Sequence, residues 1–157
     1  MKFREFMLLE EMFKSDNGYH SSQHNDGSKV VFDIETGEAR DYRFVFSKKS
    51  GDSYIAELGY KESGKSDISN IKSEFYDVDK LISTLVGIFT GFYMSTDNAN
   101  IIEYKFGRNV DNSYKLLVHS IVKKELSNYF KLSDDKFDAN NAKQINIYKN
   151  TYNKSST

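Results

Sequence analysis

The fold is decided by residues 29–60, which have the sequence KVVFDIETGEARDYRFVFSKKSGDSYIAELGY. Apolar and polar side chains alternate in three stretches of it: Lys29–Glu35, Ala39–Ser47 and Ser53–Tyr60. A period of two places one face of a strand in a core and leaves the other in water. A Thr-Gly pair and a short glycine-containing loop separate the stretches, so together they predict an antiparallel meander.

The second half of the chain carries two long apolar patterns with the period of a helix. The first begins at a capping residue, Asp77 or Asp79, and continues to about Ser95. The second occupies about residues 111–131, and its lysines fall mainly on the side away from the apolar stripe. Residues 1–14 carry a weaker pattern of the same kind and predict an N-terminal helix.

Two more strands are predicted at residues 100–106 and 144–149, where apolar side chains alternate again. Residues 15–28 are polar and rich in turn-forming residues, so we expect a flexible loop there, and residues 151–157 predict a disordered tail. The expected architecture is α+β, a single domain over residues 1–150. It is a two-layer sandwich in which two long helices cover one face of a mostly antiparallel sheet of about five strands, together with the N-terminal helix.

Composition narrows the functional classes. The chain has 157 residues, three histidines, no cysteine and a net charge of −1. Disulfides and cysteine-based metal sites are therefore excluded, and we expect no metal and no cofactor. No stretch approaches the roughly 18 apolar residues of a membrane span, so we expect a protein of the producing cell's cytoplasm that is neither secreted nor membrane-bound. The motifs of phosphate-binding loops, zinc proteases and serine hydrolases are absent, so no catalytic residue is assigned.

Basic and aromatic residues are interleaved around the second strand of the meander. Arg40, Arg43, Lys48 and Lys49 could neutralise phosphates while nearby rings stack on bases, which is the chemistry of single-strand binding. One face of this strand must be core, however, and the first half of the chain is acidic. Nucleic-acid binding therefore ranks below protein binding.

A second candidate site lies at the turn between a predicted strand and a predicted helix. Gly107, Arg108 and Asn109 could present backbone N–H groups and a cation to an anion there. The alternative is a plain turn with Arg108 in solvent or paired to an acid. A small hydrolase or transferase using Arg108 and His119 is a third possibility.

Several features resemble one group of sequences, the uncharacterised small proteins of contractile-tailed bacteriophages (myoviruses) and marine viral metagenomes. The features are the opening MKFREF of residues 1–6, the helix entry Leu81–Leu85, the aromatic strand Ile101–Phe106, and the Leu116-Leu117 and Lys123-Lys124 pairs of the following helix. The resemblance implies a viral origin and carries no activity with it.

These observations favour a non-enzymatic accessory protein of phage type. We expect it to bind a host or viral protein, or a second copy of itself, through its N-terminal helix or an exposed sheet edge.

Overall fold

The computed structural model describes residues 18–71, 75–108, 110–133 and 136–152, which form one sheet with helices against it. The strands are β1 (His20–Asp26), β2 (Lys29–Glu35), β3 (Tyr42–Ser50), β4 (Ser53–Lys61), β5 (Ile68–Ser69), β6 (Ile101–Lys105), β7 (Phe130–Leu132) and β8 (Gln144–Lys149). The helices are α1 (Val78–Ser95) and α2 (Asn112–Ser120), and a π-helical turn (Ile121–Glu125) continues α2. The strand order is β1-β2-β3-β4-β6-β8-β7, and β5 pairs with β4 beside this path.

The meander predicted from residues 29–60 is confirmed. Strands β2, β3 and β4 pair antiparallel, with Phe32 opposite Phe44 and Phe44 opposite Leu58. Gly27 and Gly51 adopt positive φ angles of 62° and 45° in the turns before β2 and β4, a conformation that suits glycine. Local alternation and turn chemistry are sufficient to specify this half of the sheet.

The predicted sheet of about five mostly antiparallel strands is wrong. The described residues form eight strands in a mixed sheet, because β4 and β6 run parallel from the pair Ser53–Ile101 to the pair Ala56–Tyr104. The segment predicted as a loop contains β1, which pairs with β2 in unbroken register from His20–Glu35 to Asp26–Lys29. Its residues are polar on both faces because it is an edge strand, so no alternation marked it.

The prediction of two long helices is also wrong. Helix α2 ends at Ser120, where the π-helical turn begins, and the N–H of Leu126 donates to the carbonyl of Ile121 at 3.0 Å. This wider turn places Leu126 in the core and lets the chain enter β7, where Phe130 pairs with Lys149. The predicted N-terminal helix lies outside the described residues, as does most of the predicted tail.

The core lies between α1 and one face of the sheet, which we call the core face. Phe92 of α1 stacks on Phe46 of β3 with 3.8 Å between ring centroids, and Phe89 makes an edge contact with Phe44 at 5.6 Å. All four rings are buried. The opposite face, called here the outer face, carries charged side chains that include Asp33 and Arg43.

Candidate functional site

A cleft of about 690 Å³ opens at the carboxyl ends of the parallel strands β4 and β6. It is lined by Leu58, Asn70, Ile71, Phe75, Val78, Lys105, Phe106, Gly107, Val110, Asp111, Ser113, Tyr114 and Leu117. In sheets with parallel strands, ligands commonly bind outside the carboxyl ends of adjacent strands, where the chain leaves them in different directions. The volume lies within the usual range of about 300–1,000 Å³ for ligand sites.

Topology creates this cleft. Pairing of β4 with β6 ends at Ala56 and Tyr104, and beyond that point the strands diverge. Strand β4 continues and pairs with β5 at Tyr60, whereas β6 ends at Lys105 and the chain turns toward α2. The gap between the diverging segments is closed by the first turns of the two helices.

Most of the cleft wall is apolar, although Asn70, Lys105, Asp111 and Ser113 also line it. Leu58, Phe75 and Phe106 supply hydrocarbon surface, and Tyr114 forms part of the wall. The hydroxyl of Tyr114 is hydrogen-bonded to the hydroxyl of Tyr104 deep in the core. Burial raises the pKa of both phenols above the usual value, so both hydroxyls stay neutral at physiological pH. This pair therefore supplies hydrogen bonding and shape rather than acid–base chemistry.

Exposed apolar residues lie at or next to the lining of the cleft in the sequence. Within the described part of the chain, the large hydrophobic residues that stay exposed are Tyr76 (39%), Val78 (47%) and Leu116 (51%). Val78 lines the cleft, and the other two are sequence neighbours of the lining residues Phe75 and Leu117. We call these three residues the apolar rim. Val78 opens the cleft to an exposed apolar residue, and the ring of Tyr76 stacks on the buried Tyr42 at 5.8 Å between centroids.

The charge around the rim is mainly acidic. Asp77 and Asp111 cap α1 and α2 by accepting backbone N–H hydrogen bonds at 3.1 Å, and Asp79 lies in the first turn of α1. All three carboxylates are exposed. Of the nearby cations, Lys105 lines the cleft and donates to a glutamine side chain, and Lys115 donates to two backbone carbonyls at 3.1 and 2.8 Å. Lys80 and Arg108 are exposed.

The predicted anion site is only partly assembled at this cleft. Gly107 lines it, and a Cβ there would lie 2.7 Å from the side-chain oxygen of Asn70, an exposed side chain that is able to move aside. Arg108 is exposed and does not belong to the lining, and Asn109 lies outside the described residues. The cap at the start of α2 is the carboxylate of Asp111, so anion binding at this turn stays a prediction.

The predicted nucleic-acid residues are separated along β3 and the turn before it. Arg43 is buried on the outer face, where it donates to Asp33 at 2.5 Å. Its guanidinium also donates to the backbone carbonyls of Glu62, Gly64 and Asp67. Arg43 therefore anchors the loop after β4 and has little surface to offer a phosphate.

The other basic residues of that set are more exposed, and two have carboxylate partners. Arg40 pairs with Glu62 at 2.5 Å and lies 4.2 Å from the centre of the Tyr60 ring. Lys49 pairs with Glu103 at 2.8 Å, and Lys48 is exposed. The structure thus does not bring the four together as one basic patch, and nucleic-acid binding stays a prediction.

Three carboxylates on these ion pairs have lowered pKa values. Partial burial alone would raise the pKa of Asp33, but the hydrogen bond and charge of Arg43 outweigh it. Hydrogen bonds from Ser69 and Arg40 lower the pKa of Glu62. The hydrogen bond from Lys49 lowers that of Glu103. Each carboxylate is held in its charged form, as structural ion pairs require.

His119 and Arg108 do not form a catalytic pair at the cleft. The His119 ring stacks on Phe137 at 4.7 Å between centroids, and neither His119 nor Arg108 lines the cavity. Across the described residues, no group of three or more histidine, aspartate or glutamate side chains is arranged to hold a metal ion.

Sequence reasoning missed the cleft and its rim. The cleft depends on the parallel pairing of β4 with β6, which no local pattern indicates. One signal was present: Leu116 follows Lys115 on the more polar side of α2, out of phase with the buried Tyr114 and Val118. A single exposed leucine is common on protein surfaces, so Leu116 alone could not have located the cleft.

The chain was compared with family models, curated proteins and solved structures. No match was found in any of the three. The resemblance to tailed-phage proteins therefore stays a prediction. No helix within the described ranges is both long enough and apolar enough to cross a bilayer.

Proposed function

We propose that this protein is a non-enzymatic accessory protein that binds a protein partner through the cleft and the apolar rim. The partner contributes a short segment with apolar anchor side chains flanked by lysine or arginine. The sequence-based expectation of a phage-type protein acting in the cytoplasm of the producing cell is part of this proposal. Binding through the N-terminal helix, the other expected route, is not needed for it.

One observation carries the proposal: of the three large hydrophobic residues exposed in the described chain, Val78 lines the cleft, and Tyr76 and Leu116 directly adjoin lining residues in the sequence. A small ligand held inside the cavity would have no use for apolar surface outside its mouth. A protein segment fills the cavity with its anchors and covers the rim with its flanks, as amphipathic segments do in apolar grooves.

The charge of the rim selects among such segments. Three exposed carboxylates, Asp77, Asp79 and Asp111, stand against two exposed cations, Lys80 and Arg108, at the segments that line the cleft. The ammonium groups of Lys105 and Lys115 are hydrogen-bonded. Opposite charges at an interface edge increase the association rate and exclude wrongly charged partners. A basic flank on the partner is therefore favoured over an acidic one.

The contribution of the rim can be estimated from its exposure. Val78 and Leu116 each leave about half of the residue surface in water. Burying a whole aliphatic side chain contributes about 1.5–3 kcal/mol, so covering the exposed half of each contributes about 1 kcal/mol. That free energy corresponds to about a fivefold change in affinity for each residue.

A displayed library of random peptides provides the test. Peptides selected on the full chain are synthesised with a fluorescent label, and their affinity is measured by anisotropy. We expect enriched sequences with two or more apolar anchors next to basic residues. Val78→Ser and Leu116→Ser should each weaken binding about fivefold. Ile55→Ser is the matched control, because Ile55 is a partly buried residue on the outer face that does not line the cleft.

The outcomes separate the proposal from its competitors. Peptides that bind equally well to the wild type and to both rim variants would place the interface elsewhere. Selection of acidic peptides would refute the charge argument. A fatty acid or neutral dye that occupies the cleft while no peptide is selected would make the site a small-molecule pocket and overturn the proposal.

A further inference from the structure

We propose that β1 is a homodimer interface, in which the β1 strands of two copies pair antiparallel and join their sheets into one. The inference concerns the edge of the sheet, so it stands independently of the cleft and of any partner bound there. It rests on the unpaired edge of β1 and on the self-complementarity of its sequence.

The first observation is that β1 is long and regular, and that it is the outermost strand among the described residues. It has seven residues in unbroken register with β2, and in the described sheet its other side has no neighbouring strand. Natural edge strands are usually blunted by lysine, proline, a bulge or short length. β1 contains no lysine, proline or bulge, and Ser22, Gln23 and Asn25 are exposed. The opposite edge is protected, because β7 has three residues and carries the exposed Lys131.

The hairpin geometry shows which backbone groups are free. β1 and β2 are joined by a loop of two residues, so Asp26 and Lys29 form a hydrogen-bonded pair. Hydrogen-bonded and non-hydrogen-bonded pairs alternate along an antiparallel ladder. The N–H and C=O groups of Ser21, Gln23 and Asn25 therefore point away from β2, toward the position of the next strand.

The sequence of β1 complements itself in one register. Pairing that centres a two-fold axis on Gln23 uses all seven residues and places His20 opposite Asp26 of the second copy. In the same register Ser22 lies opposite His24, and Ser21 lies opposite Asn25. These pairs match hydrogen-bonding side chains, and His20–Asp26 adds a carboxylate of the second copy beside an imidazole that already lies 3.7 Å from Glu35 of its own chain. Cross-strand pairs of this kind stabilise antiparallel sheets.

The chemistry of β1 also favours a second copy over an apolar peptide. Its side chains are polar on both faces, so an apolar strand added to this edge would gain no matching contacts. A two-fold dimer also satisfies the free backbone groups of both copies at once, and isologous pairing is the commonest way in which soluble proteins associate.

Light scattering after gel filtration provides the first test. The wild-type chain should have twice the monomer mass of 18.2 kDa. Gln23→Lys and Gln23→Glu should each raise the dimer dissociation constant about tenfold or more, because like charges then meet at the axis. An equimolar mixture of the two variants should restore the dimer, since opposite charges meet instead. A monomeric wild type, or variants that dimerise like the wild type, would overturn the proposal.

Cysteine cross-linking tests the register. The chain has no cysteine of its own, so every disulfide formed involves an introduced residue. Ser22 and His24 face each other as a non-hydrogen-bonded pair in the proposed register, at a spacing that allows a disulfide. A mixture of the Ser22→Cys and His24→Cys variants should oxidise mainly to the mixed dimer. Predominant cross-linking of Ser22→Cys to itself would show another register and refute the one proposed. Circular dichroism of each variant checks that the fold is retained.

Discussion

Replacement of Arg43 by methionine should destabilise the protein strongly. Arg43 is 3% exposed and donates to Asp33 and to three backbone carbonyls of the loop after β4. Methionine fills a similar volume but donates no hydrogen bond, so Asp33 loses its buried partner and keeps only His24 at 3.2 Å and Lys61 at 3.7 Å. Removing one member of a buried ion pair typically costs about 3–5 kcal/mol.

That cost is large for a domain of this size. Small domains are stable by only about 5–15 kcal/mol, and near 150 residues each kcal/mol lowers the melting temperature by about 2–4 °C. We therefore expect Arg43→Met to melt about 10 °C or more below the wild type. Circular dichroism gives the melting temperature, and urea titration gives the free energy of unfolding. Faster proteolysis within residues 62–67 should accompany the loss, because those carbonyls lose their donor.

Arg40→Met is the matched control. Arg40 also pairs with a carboxylate, but 46% of its side chain is exposed. Exposed ion pairs contribute about 0–1 kcal/mol, so this variant should melt within a few degrees of the wild type. If Arg43→Met and Arg40→Met lose similar stability, the buried network does not anchor the loop as described.

Three further predictions concern other contacts. Folding lowers the pKa of Asp33. Its ion pair therefore adds its full stabilisation free energy above the unfolded-state pKa of about 3.9, and this stabilisation is lost as the pH falls through the folded-state pKa. The difference in urea midpoint between wild type and Asp33→Asn should therefore shrink on acidification below about pH 4, and a constant difference would contradict the assignment. Gly59→Ala should lower the free energy of unfolding by about 1–3 kcal/mol, since the new Cβ would lie 2.6 Å from the backbone oxygen of Ser69. An unchanged melting temperature would show that β5 moves freely. Tyr104→Phe should lower the free energy of unfolding by about 1–3 kcal/mol, because the Tyr114 hydroxyl stays buried without its partner. In urea unfolding, the double variant with Tyr114→Phe should lose less stability than the sum of the two single variants.

The sequence was sufficient for elements that carry their own periodic signal. The bounds predicted for β2 and β8 agree with the structure, and α1 begins at the predicted cap Asp77. Alternation placed Arg43 and Asp33 on the face away from the core. It could not show that Arg43 is buried there, because the carbonyls that cover it belong to residues 19–24 positions later in the chain.

The remaining features depend on contacts between distant segments. Parallel pairing of β4 with β6 joins residues 48 positions apart, and no local pattern marks such a partner. The second helix was predicted too long because the apolar residues of the π-helical turn and β7 continue the helical stripe. The cleft follows from both features, so neither its position nor its apolar rim could be derived before the topology was known.

The mixed sheet also has a consequence for the order in which the chain folds. Strands β1 to β4 are joined by short turns, so their pairing closes small loops and should form rapidly. Strand β6 can join β4 only after residues 62–100 have crossed the core face, which demands a much larger loop closure. The native protein should therefore assemble from an early amino-terminal meander onto which the carboxyl-terminal strands dock. A substitution in the β2–β3 turn should slow refolding, and one in β8 should mainly accelerate unfolding.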